Sequence, residues 1–147
     1  MSIFPSLHMS TILLVEDEVL LREGVQEILE VHGFQVIGAA DGVEALEWLD
    51  QTPVSLIITD LVMPNMNGVA FVEKVREKHP HLPIVVASGS PGVVMTRLGI
   101  ESIHIPGATA SIMKPFKTSE LIALIEQCLG TPPSVASKET TLNPLGQ

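Results

Sequence analysis

Residues 11–18 read TILLVEDE, a run of apolar side chains on consecutive positions that ends in three acids. Consecutive rather than alternating apolar positions are typical of a strand that is buried on both faces. Four further short apolar runs follow, separated by segments of helical character. They are FQVIGAA (34–40), LIITD (56–60), PIVVA (83–87) and ASIM (110–113). Strands that alternate with helices predict a parallel sheet covered by helices on both faces, a three-layer α/β sandwich.

The helical segments carry their own start and stop signals. Asp41, with Glu44 three residues later, predicts a capping box at the start of the second helix. The first helix ends at Gly33, the third spans residues 68–78, and the last runs from about Thr118 to Leu129. Apolar spacing predicts the inward side chains, which are Leu21, Val25, Ile28 and Leu29, then Leu46, Trp48 and Leu49, then Phe71, Val72 and Val75, and finally Leu121, Ile125, Cys128 and Leu129. In the third helix we expect Glu73, Lys74, Arg76 and Glu77 to point outward.

The 147 residues suffice for one domain with a sizeable core, and only 17% of them are charged. A net charge of −9 argues against nucleic-acid binding, which requires clustered Lys and Arg. Residues 1–60 hold 11 of the 17 acids and a single base, Arg22. Such crowded negative charge suggests that a cation binds there.

We expect residues 1–9 to form an N-terminal tail, residues 10–129 the domain, and residues 130–147 a flexible C-terminal tail. Residues 90–107 are expected to form a short helix and an irregular loop, because Gly99 and Pro106 interrupt the pattern. No apolar run approaches the roughly 20 residues needed to cross a bilayer. A single cysteine, Cys128, excludes an internal disulfide and fits a reducing cytoplasm.

Polar side chains follow four of the five predicted strands. Glu16 and Asp17 follow the first, Asp60 ends the third, Ser88 follows the fourth and Lys114 follows the fifth. The carboxyl ends of parallel strands meet at one edge of a sheet, where such folds bind their ligands. The sequence therefore predicts that these five residues form one site.

Three carboxylates in one pocket repel each other by roughly 4 kcal/mol per close pair, and one lysine offsets a single charge. Carboxylate oxygens without Cys or His favour Mg²⁺ over zinc or copper. A carboxylate beside Mg²⁺, an ammonium and a hydroxyl is suited to phosphoryl transfer. Asp60 would attack, Lys114 and Ser88 would hold phosphoryl oxygens, and the product would be an aspartyl phosphate.

The sequence resembles the response-regulator receiver domains of two-component signalling over residues 10–129. The shared motifs are LLVEDE (13–18), DLVMPNMNG (60–68), Ser88 in VASGS, GA at 107–108 and KPF (114–116). The resemblance implies a flavodoxin-like sheet of strand order 2-1-3-4-5 and a cis bond between Lys114 and Pro115.

The resemblance also implies roles for individual residues. Asp60 would accept phosphate from the histidine of a kinase or phosphotransfer protein, and Lys114 and Ser88 would sense the phosphoryl group. Asp17, Asp60 and the backbone carbonyl of Val62 would bind Mg²⁺, assisted by Glu16. Kinase selectivity would lie on the first-helix face, which includes Leu20, Leu21 and Gly24.

The chain departs from the family pattern at positions that affect how phosphorylation would be passed on as a signal. Ser111 replaces the usual aromatic residue of the fifth strand, and the stretch from Ser88 to Lys114 is a few residues longer than usual. Val62 cannot orient an attacking water through its side chain, and Gly89 leaves space for a phosphodonor, so we expect slow loss of phosphate.

We therefore expect a phosphoacceptor rather than an enzyme, a stand-alone switch that signals to a downstream protein partner. It would contact no nucleic acid directly and would not insert into a membrane. A receiver-like module that docks constitutively, without phosphorylation, is the alternative. A phosphatase would require a second acid at Val62, and a flavin site would require hydroxyls where Glu16, Asp17 and Glu18 stand.

Overall fold

The computed structural model of the chain describes residues 10–89 and 105–130. These residues form five strands and four helices. The strands are β1 (Thr11–Val15), β2 (Gln35–Ala39), β3 (Leu56–Asp60), β4 (Ile84–Ser88) and β5 (Ala110–Met113). The helices are α1 (Val19–Val31), α2 (Gly42–Gln51), α3 (Gly68–Lys78) and α4 (Thr118–Cys128). The predicted α/β fold is confirmed.

All neighbouring strands pair in parallel in the order β2-β1-β3-β4-β5, as the resemblance implied. The predicted runs 34–40 and 83–87 prove to be strands over Gln35–Ala39 and Ile84–Ser88. The register pairs Val15 with Thr59 and Asp60 with Ala87. The ends of β1, β3 and β4 consequently lie level at one edge of the sheet.

Each face of the sheet carries its own apolar cluster, because successive side chains of a strand point to opposite faces. Leu13 and Val15 of β1 pack with α2 and α3, whereas Ile12 and Leu14 pack with α1 and α4. Trp48 packs against the first cluster and Cys128 against the second, as their helical spacing predicts. Burial raises the pKa of the Cys128 thiol, which agrees with a packing role.

Two side-chain caps fix the starts of α2 and α3. The Asp41 carboxylate accepts a hydrogen bond from the backbone N–H of Glu44 at 2.8 Å. In the predicted capping box the Glu44 carboxylate would accept from the N–H of Asp41. In the structure it accepts from the N–H of Ala40, one residue earlier. The side chain of Asn67, whose capping role the sequence analysis missed, accepts from the N–H of Ala70.

The prediction that Arg76 points outward is wrong. Its guanidinium is half-buried and donates to three backbone carbonyls, those of Gly107, His79 and Leu82, at 2.7–2.9 Å. Helical periodicity places the Cα of Arg76 at the rim of the apolar face, and the long side chain bends back over the protein.

The expectations for residues 1–9, for residues 131–147 and for most of residues 90–107 lie outside the described residues. Of residues 90–107, the structure describes the last three, and Ile105 is buried in the cluster beneath α2 and α3. None of the described helices is long and apolar enough to cross a bilayer.

Gly68 starts α3 directly against the backbone that follows β3. A Cβ atom at this position would lie 2.6 Å from the carbonyl oxygen of Asp60 and 2.6 Å from the Cα of Leu61. The Gly68 N–H donates to the carbonyl of Leu61 at 2.7 Å, so the two segments cannot separate without losing that bond. The absence of a side chain at residue 68 thus lets α3 begin close to the end of β3.

We expect Gly68→Ala to lower the free energy of unfolding by about 2–3 kcal/mol, because the new methyl group must displace backbone. Gly24→Ala is the matched control, since a Cβ at the middle of α1 would meet nothing within 4 Å. That change should raise the free energy of unfolding by about 0.5–1 kcal/mol. Urea unfolding followed by Trp48 fluorescence measures both. Equal stability of the two variants would contradict this account of the α3 start.

Candidate functional site

Glu16 directly follows β1 and is buried, with 5% of its surface exposed. Its Oε1 accepts a hydrogen bond from Lys114 Nζ at 2.9 Å, and its Oε2 accepts from the backbone N–H of Glu18 at 3.2 Å. Desolvation raises the pKa of Glu16 and outweighs the lowering effect of these two hydrogen bonds. Burial therefore disfavours the charged form of the Glu16 carboxylate.

Asp60 ends β3, the strand next to β1 in the sheet. Its Oδ1 accepts from the backbone N–H groups of Leu61, at 2.6 Å, and Val62, at 3.3 Å. Its Oδ2 accepts from Lys114 Nζ at 2.9 Å. Only 14% of the Asp60 side chain is exposed. The carboxylate is thus held in one orientation at the carboxyl edge of the sheet.

Lys114 directly follows β5 and reaches across the sheet edge to both acids. Its ammonium lies 2.9 Å from Glu16 and 2.9 Å from Asp60. Burial lowers the pKa of Lys114, but the hydrogen bonds to the two carboxylates outweigh burial and raise it above its ordinary value. Lys114 therefore carries its positive charge at neutral pH. The bond from Lys114 to Pro115 is cis, as the resemblance implied.

Asp17 completes a cluster of three acids with Glu16 and Asp60. One carboxylate oxygen from each of them lies within 4.8 Å of the others, and Asp17 is the exposed member. With Lys114 counted, two negative charges remain unbalanced. Hard oxygen donors and a double negative charge fit a divalent cation, and a partly open cluster suits Mg²⁺, which keeps several waters. The residues present therefore fit the metal that the sequence predicted.

Four of the five predicted site residues thus come together, and the fifth lies at the same edge. Ser88 ends β4 and is buried, and its backbone carbonyl accepts from the Lys114 N–H at 2.7 Å. Within residues 10–89 and 105–130, its hydroxyl forms no hydrogen bond with Asp60 or Lys114. Val62 follows Asp60 by two residues and its side chain packs against the cluster beneath α2 and α3.

The turn after Asp60 is held by a hydrogen bond that the sequence pattern does not predict. Asn65 adopts a left-handed backbone with φ of 68°, and its side-chain amide donates to Asp41 at 2.6 Å. Hydrogen bonds from the Glu44 backbone and from Asn65 lower the pKa of Asp41. The tolerance of asparagine for this conformation was the available signal, but it does not name a partner 24 residues away.

An apolar groove of about 560 Å³ opens beside Lys114. It contains Leu20, Leu21 and Gly24, the residues expected to carry kinase selectivity, together with Val25, Ile28, Pro115 and Phe116. Leu20 is 84% exposed although it is apolar. The groove and the acidic cluster share Lys114 as a common wall.

Comparison with known proteins agrees with this geometry. The sequence model described as the response regulator receiver domain matches residues 12–126. The transcriptional regulatory protein CpxR of Escherichia coli (strain K12) is 36% identical over 121 residues, which are 82% of this chain and 50% of CpxR. Histidine kinase P4 of Formosa agariphila is 35% identical over 122 residues, 82% of this chain and 8% of that kinase. The chain spans about half the length of the first relative and a small part of the second.

Solved structures of similar fold include the chemotaxis response regulator CheY4 of Vibrio cholerae. It is 30% identical with a TM-score of 0.68, and the match covers 82% of this chain and 98% of CheY4. The receiver domain of the sensor histidine kinase PA1611 from Pseudomonas aeruginosa, which holds a magnesium ion in its active-site cleft, has a TM-score of 0.73 at 22% identity. That match covers 84% of this chain and 99% of the other, and it supports the fold alone. The sheet order, the strand-end residues and the match over residues 12–126 lead to one conclusion: the chain belongs to the response regulator receiver domain family of two-component signalling.

Proposed function

We propose that the chain is a phosphoacceptor that takes a phosphoryl group onto Asp60 from a phosphohistidine of a kinase or phosphotransfer protein. The observation that carries this proposal is the position of the Asp60 carboxylate. It lies between the Lys114 ammonium and an acidic cluster suited to a divalent cation. A carboxylate in these surroundings can approach an anionic phosphoryl group that carboxylates alone would repel.

The transfer breaks the P–N bond of the phosphohistidine as an Asp60 oxygen forms the new P–O bond. The imidazole of the donor keeps the electron pair and takes up a proton from solvent. Lys114 holds a phosphoryl oxygen by its ammonium, and the Ser88 hydroxyl at the neighbouring strand end donates to another. The backbone N–H groups of Leu61 and Val62 hold the Asp60 carboxylate in place during the reaction.

Asp17, Asp60 and the Val62 carbonyl are the proposed ligands of Mg²⁺. Both oxygens of Glu16 already accept hydrogen bonds from the protein, which supports an assisting role for this residue. When bound, the metal supplies positive charge that offsets the phosphoryl oxygens.

The groove beside Lys114 supports the proposed partner class. Its wall of α1 residues is apolar, as the groove for a partner helix must be, and its lining includes Lys114, which contacts Glu16 and Asp60. A helix docked there would lie beside Lys114, whose ammonium is 2.9 Å from Asp60. We propose a helix of the phosphohistidine-bearing protein as its occupant.

A constitutive docking module, independent of phosphate, is the second candidate. It is favoured by Ser111, which stands on β5 where the family pattern has an aromatic residue. For either candidate we propose a downstream protein as the direct partner, because the chain is acidic, with a net charge of −9. The single cysteine fits the reducing cytoplasm as its compartment.

We expect incubation with acetyl phosphate and Mg²⁺ to add one phosphoryl group, which intact-mass measurement detects and hydroxylamine removes. Asp60→Asn should abolish the label, because the amide cannot form the acyl phosphate. Asp50→Asn, which removes an equal charge from the exposed end of α2, should leave labelling unchanged. A label that persists on the same peptide of Asp60→Asn would refute the proposal, and an unlabelled wild-type chain would favour constitutive docking. The lifetime of the phosphorylated wild-type chain then tests the slow loss of phosphate that Val62 predicts.

We expect Mg²⁺ to raise the free energy of unfolding of the wild-type chain by about 2.7 kcal/mol at a hundred times its dissociation constant. Asp17→Asn should lose most of this gain, since it removes a ligand, and its exposed position should leave the metal-free fold intact. Urea unfolding in EDTA and in MgCl₂ gives both values, with Asp50→Asn as the control of equal charge. A gain in Asp17→Asn equal to that of the wild type would exclude Asp17 as a ligand.

We expect Leu20→Asp to slow phosphotransfer from a phosphohistidine partner by about tenfold, because it puts a charge into the apolar groove. The partner is the most efficient donor found in a panel of phosphorylated kinases and phosphotransfer proteins. Labelling by acetyl phosphate should not change, since that donor does not need the groove. Val31→Asp is the matched control, because Val31 is 78% exposed at the other end of α1. Equal slowing by both variants would show that the groove is not the docking surface.

A further inference from the structure

Arg22 is the only basic residue among the first 60, and the proposed chemistry does not use it. It lies one turn into α1, where side chains point back toward the start of the helix. In the structure it is half-buried, and its Nη1 donates to the backbone carbonyl of Glu16 at 2.6 Å. The Arg22 guanidinium therefore contacts the backbone of the acidic turn, and within the described residues it forms no hydrogen bond with a carboxylate.

The carbonyl that Arg22 holds belongs to the peptide unit joining Glu16 to Asp17. On the other side of the residue, the Glu16 N–H donates to the carbonyl of Ala39 in β2 at 3.0 Å. Asp17 itself is exposed, and its side chain accepts no hydrogen bond from the described residues. The peptide plane before Asp17 helps to set the direction of its Cα–Cβ bond, and Arg22 holds the carbonyl of that plane.

Gly38 of β2 makes room for this arginine. A Cβ atom at this position would lie 3.2 Å from Arg22 Cδ and 3.4 Å from Arg22 Nε. The stem of Arg22 therefore crosses the strand where β2 has no side chain. The position of the Arg22 side chain therefore depends both on α1, which carries it, and on the glycine of β2 beneath it.

We propose that Arg22 is a positioning residue, which holds the Glu16–Asp17 peptide so that the Asp17 carboxylate faces the cation site. The inference rests on the proposed Mg²⁺ site and adds to it a residue outside the family motifs quoted above. A positioning role and a purely electrostatic role predict opposite results. A positive charge near the site repels Mg²⁺, so its removal alone would strengthen binding. Loss of a positioning hydrogen bond weakens binding.

The first test is Arg22→Met, which keeps an apolar stem over Gly38 and removes the donor. We expect the dissociation constant for Mg²⁺, measured by calorimetric titration of the whole chain, to rise about tenfold. Arg22→Lys, which keeps a donor and the charge, should recover part of the affinity. Lys74→Met removes the same charge from the exposed face of α3 and should change nothing. Unchanged or tighter binding by Arg22→Met would overturn the proposal.

The second test displaces the arginine without removing it. Gly38→Val crowds the Arg22 stem and should weaken Mg²⁺ binding in the wild-type background. In the Arg22→Met background the same change should have little further effect, because no hydrogen bond remains to be lost. Additive effects of the two substitutions would overturn the proposal. Urea unfolding in EDTA verifies that each variant is folded before its affinity is compared.

The outcomes separate this inference from the proposed function. A wild-type chain that binds no Mg²⁺ contradicts the proposed metal site. A wild-type chain that binds Mg²⁺, with Arg22→Met binding it equally well, contradicts only the role of Arg22.

Discussion

The ion pairs of Lys114 with Glu16 and Asp60 are the interaction on which the site depends. The lysine is 98 residues from one acid and 54 from the other, so that only the parallel order of β1, β3 and β5 brings them to one edge. Burial of carboxylates is unfavourable unless positive charge is supplied, and Lys114 offsets only one of the three negative charges. The two negative charges that remain are the reason why the cluster fits a doubly charged cation.

Contacts with α2 and α3 hold the turn after β3 in place. Gly68 brings α3 against the backbone of Asp60, and Asn65 joins the turn to the cap of α2. Asp60 is therefore fixed by its two backbone hydrogen bonds, by Lys114 and by the helices on either side. Pre-organisation of this kind costs stability in the metal-free chain and reduces the rearrangement that the reaction would require.

Much of the fold and site followed from sequence pattern because the pattern records burial. Consecutive apolar runs gave the strands, and the acids and lysine at their ends gave the site. The contacts of two arginine side chains could not be predicted in this way. Arg76 was predicted to face solvent and instead binds three carbonyls, and Arg22 was noted only as a lone base. Helical spacing locates a Cα on a helix, whereas the end of a long side chain lies several ångströms away, among groups that the spacing does not describe. The strand order came from the resemblance, since local pattern carries no information on which strands are neighbours.

Glu16, Asp17, Asp60 and Lys114 lie at the carboxyl edge of the sheet, one strand length from the opposite edge. The connections there pass through Pro53 and His81, both exposed, before β3 and β4 begin. A fluorophore or a surface tether attached at His81 would sit a full strand length from Asp60. His81 is therefore an attachment point for immobilisation or optical reporting that lies at the other end of the strands from the acidic site.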